Sequence, residues 1–360
     1  MTRNLIAFLI ATVLSVGLFA QTIGGDLTAL ANQPIELYGF DGLNAYPISN
    51  TVTDNRGSFK LNYTASDFGI GYLLSSDNSP LFVVLTGENI ELEGNALKQI
   101  ETIRITHGQE NQWFEQYAYE HSRREQALSG WLYLEKIYEI DTVLSQHSKP
   151  KEAIQAEKQR LNDEDSNFLS SLPKDSYVSW YLPVRKLISS ASSAVKQDEV
   201  ATLLTGFRGI VYSDSKLYKS GLLKEAIDNH FGLIENSGLP LDSVYLEMQI
   251  SIDGIIEYLM GDEQKLNEIT NYLFDLLERH SLFQASEYLA LKVLNEVSCT
   301  IESGLANQLE TYRAMKKGNI AADILFKGDN FTPGYGPANF PRKLSDINSD
   351  YTLVVFGASW

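Results

Sequence analysis

Apolar residues in this chain recur with a period of two as far as about Ile105 and with the period of a helix from about Glu110. One layer of secondary structure cannot serve both periods, so the chain must build a β region first and a helical region after it. In the β region Ile35, Leu37, Tyr38 and Phe40 follow Pro34. Phe59, Leu61 and Tyr63 alternate with Ser58, Lys60 and Asn62, which gives one buried face and one wet face. Asp54-Asn55-Arg56-Gly57 is a turn signal, because Asn and Gly accept positive φ. Leu81 to Leu85 is a continuous apolar run suited to a strand covered on both faces, and Ile90-Glu91-Leu92-Glu93 alternates again before Gly94. Short strands separated by turns predict a small antiparallel β-sandwich over residues 21–106.

The helical region is expected over 107–317. Trp113, Phe114, Tyr117 and Ala118 fall at helix spacing, as do Leu128, Trp131, Leu132 and Leu134 with Ile137 and Tyr138. Pro150, Pro173, Pro183 and Pro240 should mark helix boundaries or first turns, since an interior proline loses a hydrogen bond and clashes. Asp262-Glu263-Gln264 ahead of Leu266, Ile269, Tyr272, Leu273, Leu276 and Leu277 reads as an amphipathic helix with acid in its first turn. About seven to nine helices are expected. No motif recurs at the ~34 or ~40 residues of helical solenoids.

The 360 residues are enough for two or three domains, and the formal net charge of −17 excludes a nucleic-acid partner in the absence of a basic stripe. Arg3 followed by the uncharged run Leu5 to Ala20 reads as a signal peptide over residues 1–20, with cleavage near Ala20 and Gln21 as the mature start. The run is shorter than the ~20 apolar residues of a spanning helix. No cysteine follows it to carry a lipid. An exported protein of the periplasm or cell envelope is the resulting expectation. The single cysteine, Cys299, cannot form an internal disulfide and reads as a small buried apolar residue, with no Lys, Arg or His beside it to favour the thiolate.

From Gly318 onward the texture changes. Gly328, Pro333, Gly334, Gly336, Pro337 and Pro341 crowd a loop-rich stretch, and Tyr351 to Phe356 is an apolar run suited to a buried parallel strand. Gly318-Asn319-Ile320-Ala321-Ala322-Asp323-Ile324-Leu325-Phe326 resembles the opening segment of periplasmic thioredoxin-like redoxins. Leu344-Ser345-Asp346-Ile347 resembles their short segment before the central strand, and Tyr351 to Trp360 resembles that strand running into a Trp-Cys-x-x-Cys site. An exported sandwich and a helical region ahead of a redoxin domain resemble the architecture of Gram-negative envelope thiol–disulfide oxidoreductases. Leu217 to Leu223 and Leu309 to Lys317 look like the helical region of those proteins.

The resemblance implies an α+β multidomain chain: an antiparallel β-sandwich, a helical middle domain, and the first strands of a truncated thioredoxin-like α/β domain over 318–360. It implies that the gene reads on past Trp360 into the two cysteines, which these residues do not contain, the alternative being a genuine short product that ends there. Trp360 would flank the missing pair, no catalytic residue is present, and no cofactor or metal is expected. Dithiol exchange needs a second thiol to resolve the mixed disulfide, so Cys299 is no substitute and the chain as given should be redox-inactive. Protein thiol or disulfide clients, an electron-donor protein and a possible homodimer are the implied partners. A non-catalytic binding or scaffold protein of the envelope is the second reading. A redoxin-fold thiol peroxidase is the third, disfavoured by the tryptophan before the expected cysteine.

Other motifs carry less. His107, His121, His147, His230 and His280 show no metal-ligand spacing and read as solvated or locally bonded. Gly334-Tyr335-Gly336 lacks the remainder of a phosphate loop. Asp163-Glu164-Asp165 reads as a solvated helix face, and Arg123-Arg124 and Lys316-Lys317 are too short for binding patches.

Overall fold

The alternating segments do become strands in the computed structural model, which describes residues 21–191, 197–297, 323, 325 and 343–347. Residues 1–20, Cys299, the glycine- and proline-rich loop and Tyr351 to Trp360 lie outside the described residues. Among those described, the chain is α+β, with two four-stranded sheets followed by nine α-helices. The strands are β1 (Gln21–Leu27), β2 (Pro34–Asp41), β3 (Asn44–Val52), β4 (Ser58–Tyr63), β5 (Gly69–Ser75), β6 (Leu81–Leu85), β7 (Ile90–Gly94) and β8 (Arg104–His107). One sheet has the order β4-β1-β7-β8 and the other β3-β2-β5-β6. Both send side chains into one apolar cluster: Ile23, Leu61, Tyr63, Ile90 and Leu92 from the first, Ile35, Leu37, Leu73, Val83 and Leu85 from the second.

The all-antiparallel expectation is corrected in the first sheet, where β1 runs parallel to β7 with Ile23 opposite Ile90. The two strands are joined through the whole second sheet, and such a long crossover permits a parallel pair where a hairpin does not. Gly25 serves that pairing, since a Cβ there would meet the Leu92 carbonyl oxygen at 2.3 Å. Strand β3 is an edge strand carrying Pro47. The register shifts between Leu37 and Tyr38, whose partners are Ser49 and Pro47, so Ile48 is the extra residue of a bulge. Proline and a bulge both blunt an open edge.

Helix α1 (Gln109–Ile140) seals two other edges with the side chains of its first turns. The Asn111 amide is bidentate on Val84 of β6: Val84 N donates to Oδ1 at 2.7 Å, and Nδ2 donates to Val84 O at 2.8 Å. On β8, Ile105 N donates to a Glu115 carboxylate oxygen at 3.3 Å, and Gln112 Nε2 donates to Ile105 O and Thr106 O, each at 3.3 Å. Each set supplies what a further strand would have supplied. The neighbouring Glu110 is buried and turns to α3 (Tyr177–Ser190), where its two carboxylate oxygens accept from Tyr177 N and Val178 N at 3.0 Å. A carboxylate on those otherwise unpaired N–H groups suits the positive end of the helix. Burial holds the Glu110 carboxyl above its ordinary range despite those bonds.

The remaining helices are α2 (Ser148–Ser171), α4 (Gln197–Arg208), α5 (Ser215–Tyr218), α6 (Leu223–Glu235), α7 (Leu241–Leu259), α8 (Glu263–Arg279) and α9 (Phe283–Val297). Pro150 falls in the first turn of α2, Pro173 between α2 and α3, and Pro240 just before α7, as the boundary reading requires. Pro183 departs from it by lying inside α3. It sits on the exposed side, where water can replace the lost backbone bond. Asp262 caps α8, accepting from Lys265 N at 3.2 Å, and Leu266, Ile269, Leu273, Leu276 and Leu277 are buried as their spacing predicts. The turn after α5 docks on the second sheet: Ile70 N donates to Lys219 O at 2.8 Å and Gly42 N to Tyr218 O at 3.0 Å. Gly69, at φ +134, is required there, since a Cβ would stand 2.1 Å from the Lys219 carbonyl oxygen. The chain divides into two compact units, one ending at Val244 and the other beginning at Tyr245. No helix among the described residues is long and apolar enough to cross a membrane.

Replacing Asn111 by Ala leaves the buried N–H and C=O of Val84 without partners, which costs about 2–6 kcal/mol at 1–3 kcal/mol per orphaned group. The expected result in native-state hydrogen exchange is a selective loss of protection at the Val84 amide together with reduced global stability. Unchanged protection at Val84 would mean that the edge is sealed by something other than α1.

Candidate functional site

Helices α1 and α2 form an antiparallel hairpin whose facing sides carry a polar centre. The face of α2 comprising Ile154, Lys158, Leu161, Asp165 and Phe168 meets the face of α1 comprising Tyr117, His121, Arg124, Leu128 and Glu135. At the far end of the hairpin Lys158 Nζ lies 2.6 Å from Glu135. At the near end the Tyr117 ring stacks on His121 with centroids 4.7 Å apart and meets Phe168 at 5.6 Å. Between them Asp165 is buried. One of its carboxylate oxygens is 2.9 Å from His121 Nδ1 and 3.3 Å from Arg124 Nη2, and the other accepts from Lys186 Nζ of α3 at 2.5 Å.

This corrects the reading of Asp163-Glu164-Asp165 as one solvated face. Asp163 and Glu164 are exposed, whereas Asp165 is the polar member of the apolar stripe Ile154, Leu161, Phe168 and Leu172. That i, i+3, i+4, i+7 spacing was present in the sequence and identifies Asp165 as inward-facing. Burial by itself raises its pKa, but hydrogen bonds from His121 and Lys186 and their positive charge hold the carboxyl well below the ordinary carboxylate range. Arg124, half of a pair too short for a binding patch, also reaches Glu120 at 3.1 Å.

A carboxylate bonded to His Nδ1 is the orienting half of a nucleophilic triad. Here the other ring nitrogen, Nε2, faces Glu125 at 3.9 Å instead of a hydroxyl or thiol. What the arrangement does chemically is bind three helices through one buried anion, since His121 and Arg124 lie on α1, Asp165 on α2 and Lys186 on α3.

A second polar group lies deeper. His230 of α6 is buried, its Nδ1 is 3.1 Å from the hydroxyl of the equally buried Tyr212, and its ring stacks on Phe207 with centroids 5.3 Å apart. Nε2 meets no hydrogen-bond partner among the described residues. Burial pushes the His230 pKa down to about 3 and the Tyr212 hydroxyl up. The histidine is therefore held neutral as a core residue, enclosed among the described residues. Among the described residues no group of three His, Cys, Asp or Glu side chains could hold a metal ion.

Trp360 and Cys299, the positions on which a redox reading turns, lie outside the described residues. Near the chain end Ser345 N and Oγ donate to the Asp323 carboxylate at 2.8 and 2.7 Å, Lys343 Nζ lies 3.2 Å from it, and Leu325 forms an antiparallel bridge with Lys343. These contacts lower the Asp323 pKa from its ordinary value, chiefly through the bond from the Ser345 backbone. Comparison of the chain with protein-family models, curated proteins and solved structures finds no match.

Both buried groups predict acid sensitivity, in different windows. His230, with its pKa lowered in the fold, contributes stability that is present above the unfolded value of ~6.5 and is lost as pH falls toward about 3. Asp165, also lowered, contributes stability that is present above ~4 and is lost below it. Asp165→Asn should cost about 2 kcal/mol at neutral pH, a value reduced because Lys186 is one-third exposed. It should flatten the stability curve only below about pH 4. Denaturant titrations across this range test the assignment. Wild-type stability in the variant, or loss of the slope near pH 6, would contradict it.

Proposed function

We propose that this chain is the exported, envelope-side part of a thiol–disulfide oxidoreductase. In this reading the two sheets form a small β-sandwich, the helices form a scaffold beside it, and residues 318–360 open a thioredoxin-like domain. Its clients are protein thiols or disulfides, and its electrons come from a donor protein. The observation that carries the reading is the ordered run of three segments, Gly318 to Phe326, Leu344 to Ile347 and Tyr351 to Trp360, which resembles a redoxin domain up to the tryptophan of its active site.

Two features of the geometry support it. Asp323 of the first segment accepts from Ser345 of the second, and Leu325 forms a bridge with Lys343 beside it. The two sheets share one apolar cluster, as the layers of a sandwich do. In dithiol exchange a thiolate attacks a disulfide sulfur and a second thiol resolves the mixed disulfide. The 360 residues hold one cysteine, so the proposed chemistry depends on residues encoded after Trp360.

A second reading, a non-catalytic binding or scaffold protein, is favoured by one observation. The outer half of α1 exposes Leu132, Tyr133, Leu134 and Ile140. Apolar residues grouped on a surface mark interaction sites more often than chance.

Reading the gene beyond the Trp360 codon tests the first proposal. The expected sequence continues with Cys-x-x-Cys, and the longer product should reduce insulin with dithiothreitol at a rate abolished by Cys→Ser at the first position. The 360-residue chain should remain at background. Absence of a cysteine codon next to Trp360, or activity from the 360-residue chain, would remove the oxidoreductase reading.

A further inference from the structure

Strand β1 begins at the residue that the export reading makes the first of the mature chain. In that reading Arg3, the uncharged run from Leu5 and the small residue Ala20 put the cleavage between Ala20 and Gln21. Gln21 is already in the ladder, opposite Tyr63 of β4. It shares the inward face of β1 with Ile23 and Leu27, which are fully buried, and is itself half-buried. Its amide oxygen Oε1 is buried and meets no hydrogen-bond partner among the described residues. The polar groups beside it are engaged elsewhere. Thr22 N and Oγ1 donate to Asn89 Oδ1 at 3.0 and 3.3 Å, and the Tyr63 hydroxyl donates to the Glu88 carbonyl oxygen. An unpaired buried oxygen opposes folding, and cleavage adds an α-ammonium to the same residue.

We propose that Gln21 is a modification site and that the mature chain carries it as pyroglutamate. An amino-terminal glutamine holds its nucleophile and its electrophile in one residue. The free α-amine attacks Cδ of the side-chain amide, and the new N–Cδ bond closes a lactam. The amide nitrogen leaves as ammonia with the proton that the amine gives up. No oxidant, reductant or second substrate enters the step. The product has neither an ammonium nor a side-chain NH2, the two groups least suited to the inward face of a strand. It keeps one N–H, which is what a residue in a ladder supplies, and ring closure draws Oε1 back toward the backbone nitrogen. A chain terminus tied into the sheet in this way also offers aminopeptidases no free amine.

The inference rests on the export reading, and the amino terminus of the full chain recovered from the envelope of an exporting host tests the two separately. The expected result is a chain that starts at residue 21 and is lighter than its sequence by one ammonia. It should be silent in Edman degradation until pyroglutamate aminopeptidase opens it. Edman degradation of the intact protein keeps ring closure during digestion out of the result. A Gln21→Ser variant, cleaved at the same bond, should match its sequence mass and yield serine in the first cycle. A free glutamine at residue 21, or cleavage at a different bond, would overturn the modification and leave the export reading standing. A chain that still begins at Met1 would overturn the export reading and the modification with it.

Discussion

The four side chains from Glu110 to Gln112 and at Glu115 are the constraint on which the β region and the first helices depend. Two four-stranded sheets expose four edges, and each edge is a row of backbone groups that must find partners. Asn111 satisfies both outward groups of Val84 on β6, while Gln112 and Glu115 satisfy those of Ile105 on β8. Glu110 turns the other way and completes the N-terminus of α3. One and a half turns of helix thus do work that would otherwise need two further strands and a capping loop. The first turns of α1 carry buried polar residues where a helix ordinarily buries apolar ones, because what they meet is backbone.

The next layer of order depends on charge. A hairpin of two long helices with few fully buried apolar side chains has a weak core of its own, and α1 buries only Glu110, Asn111 and Tyr117. The ionic centre at Asp165 compensates by joining α1, α2 and α3 through one carboxylate. Desolvating that anion opposes folding, and the centre is favourable only because His121 and Lys186 hydrogen-bond to it and the Arg124 guanidinium lies beside it. The same arithmetic explains why His230 stays neutral. It has a hydroxyl and three aromatic rings for neighbours and no carboxylate, so the uncharged form is the one its site can hold.

How much of this was legible in the sequence depended on how local the cause was. Strand β4 and helix α8 announced themselves through strict alternation and a capped apolar stripe, since each pattern is complete within its own segment. Strands β1 and β3 did not, because Gly24-Gly25 and Pro47 are strand breakers in isolation. Their presence is explained only by a close parallel neighbour and by an edge that must be blunted. Asp165 was legible and was obscured by its company: two exposed acids precede it, yet its spacing from Leu161 and Phe168 puts it on the apolar face. The bidentate contact of Asn111 could not be read at all, since it depends on where a strand 27 residues earlier comes to rest. The redox reading lies at the other extreme, drawn from sequence resemblance near the chain end, where Trp360 and the single cysteine fall outside the described residues.

Helix α1 therefore carries two separate roles along one cylinder. Its first turns are committed to strand edges and to α3, and its inner side is committed to α2 through Asp165 and Glu135. The outer face contributes to neither. Natural selection for monomer stability alone would be expected to fill such a face with charged residues at i, i+4 spacing, which support an isolated helix and keep it soluble. Instead that face carries Tyr119, Gln126, Tyr133 and Ile140, and the mid-helix Gly130 beside them lowers helix stability with no packing contact among the described residues. Tyr119 is covered within its own helix by the Arg123 guanidinium, 4.3 Å from its ring centroid, whereas Tyr133 and Ile140 are left to solvent. Because the same helix is clamped to both sheets at its start, a partner bound along its outer face would be held rigidly to the β region, with no flexible linker in between.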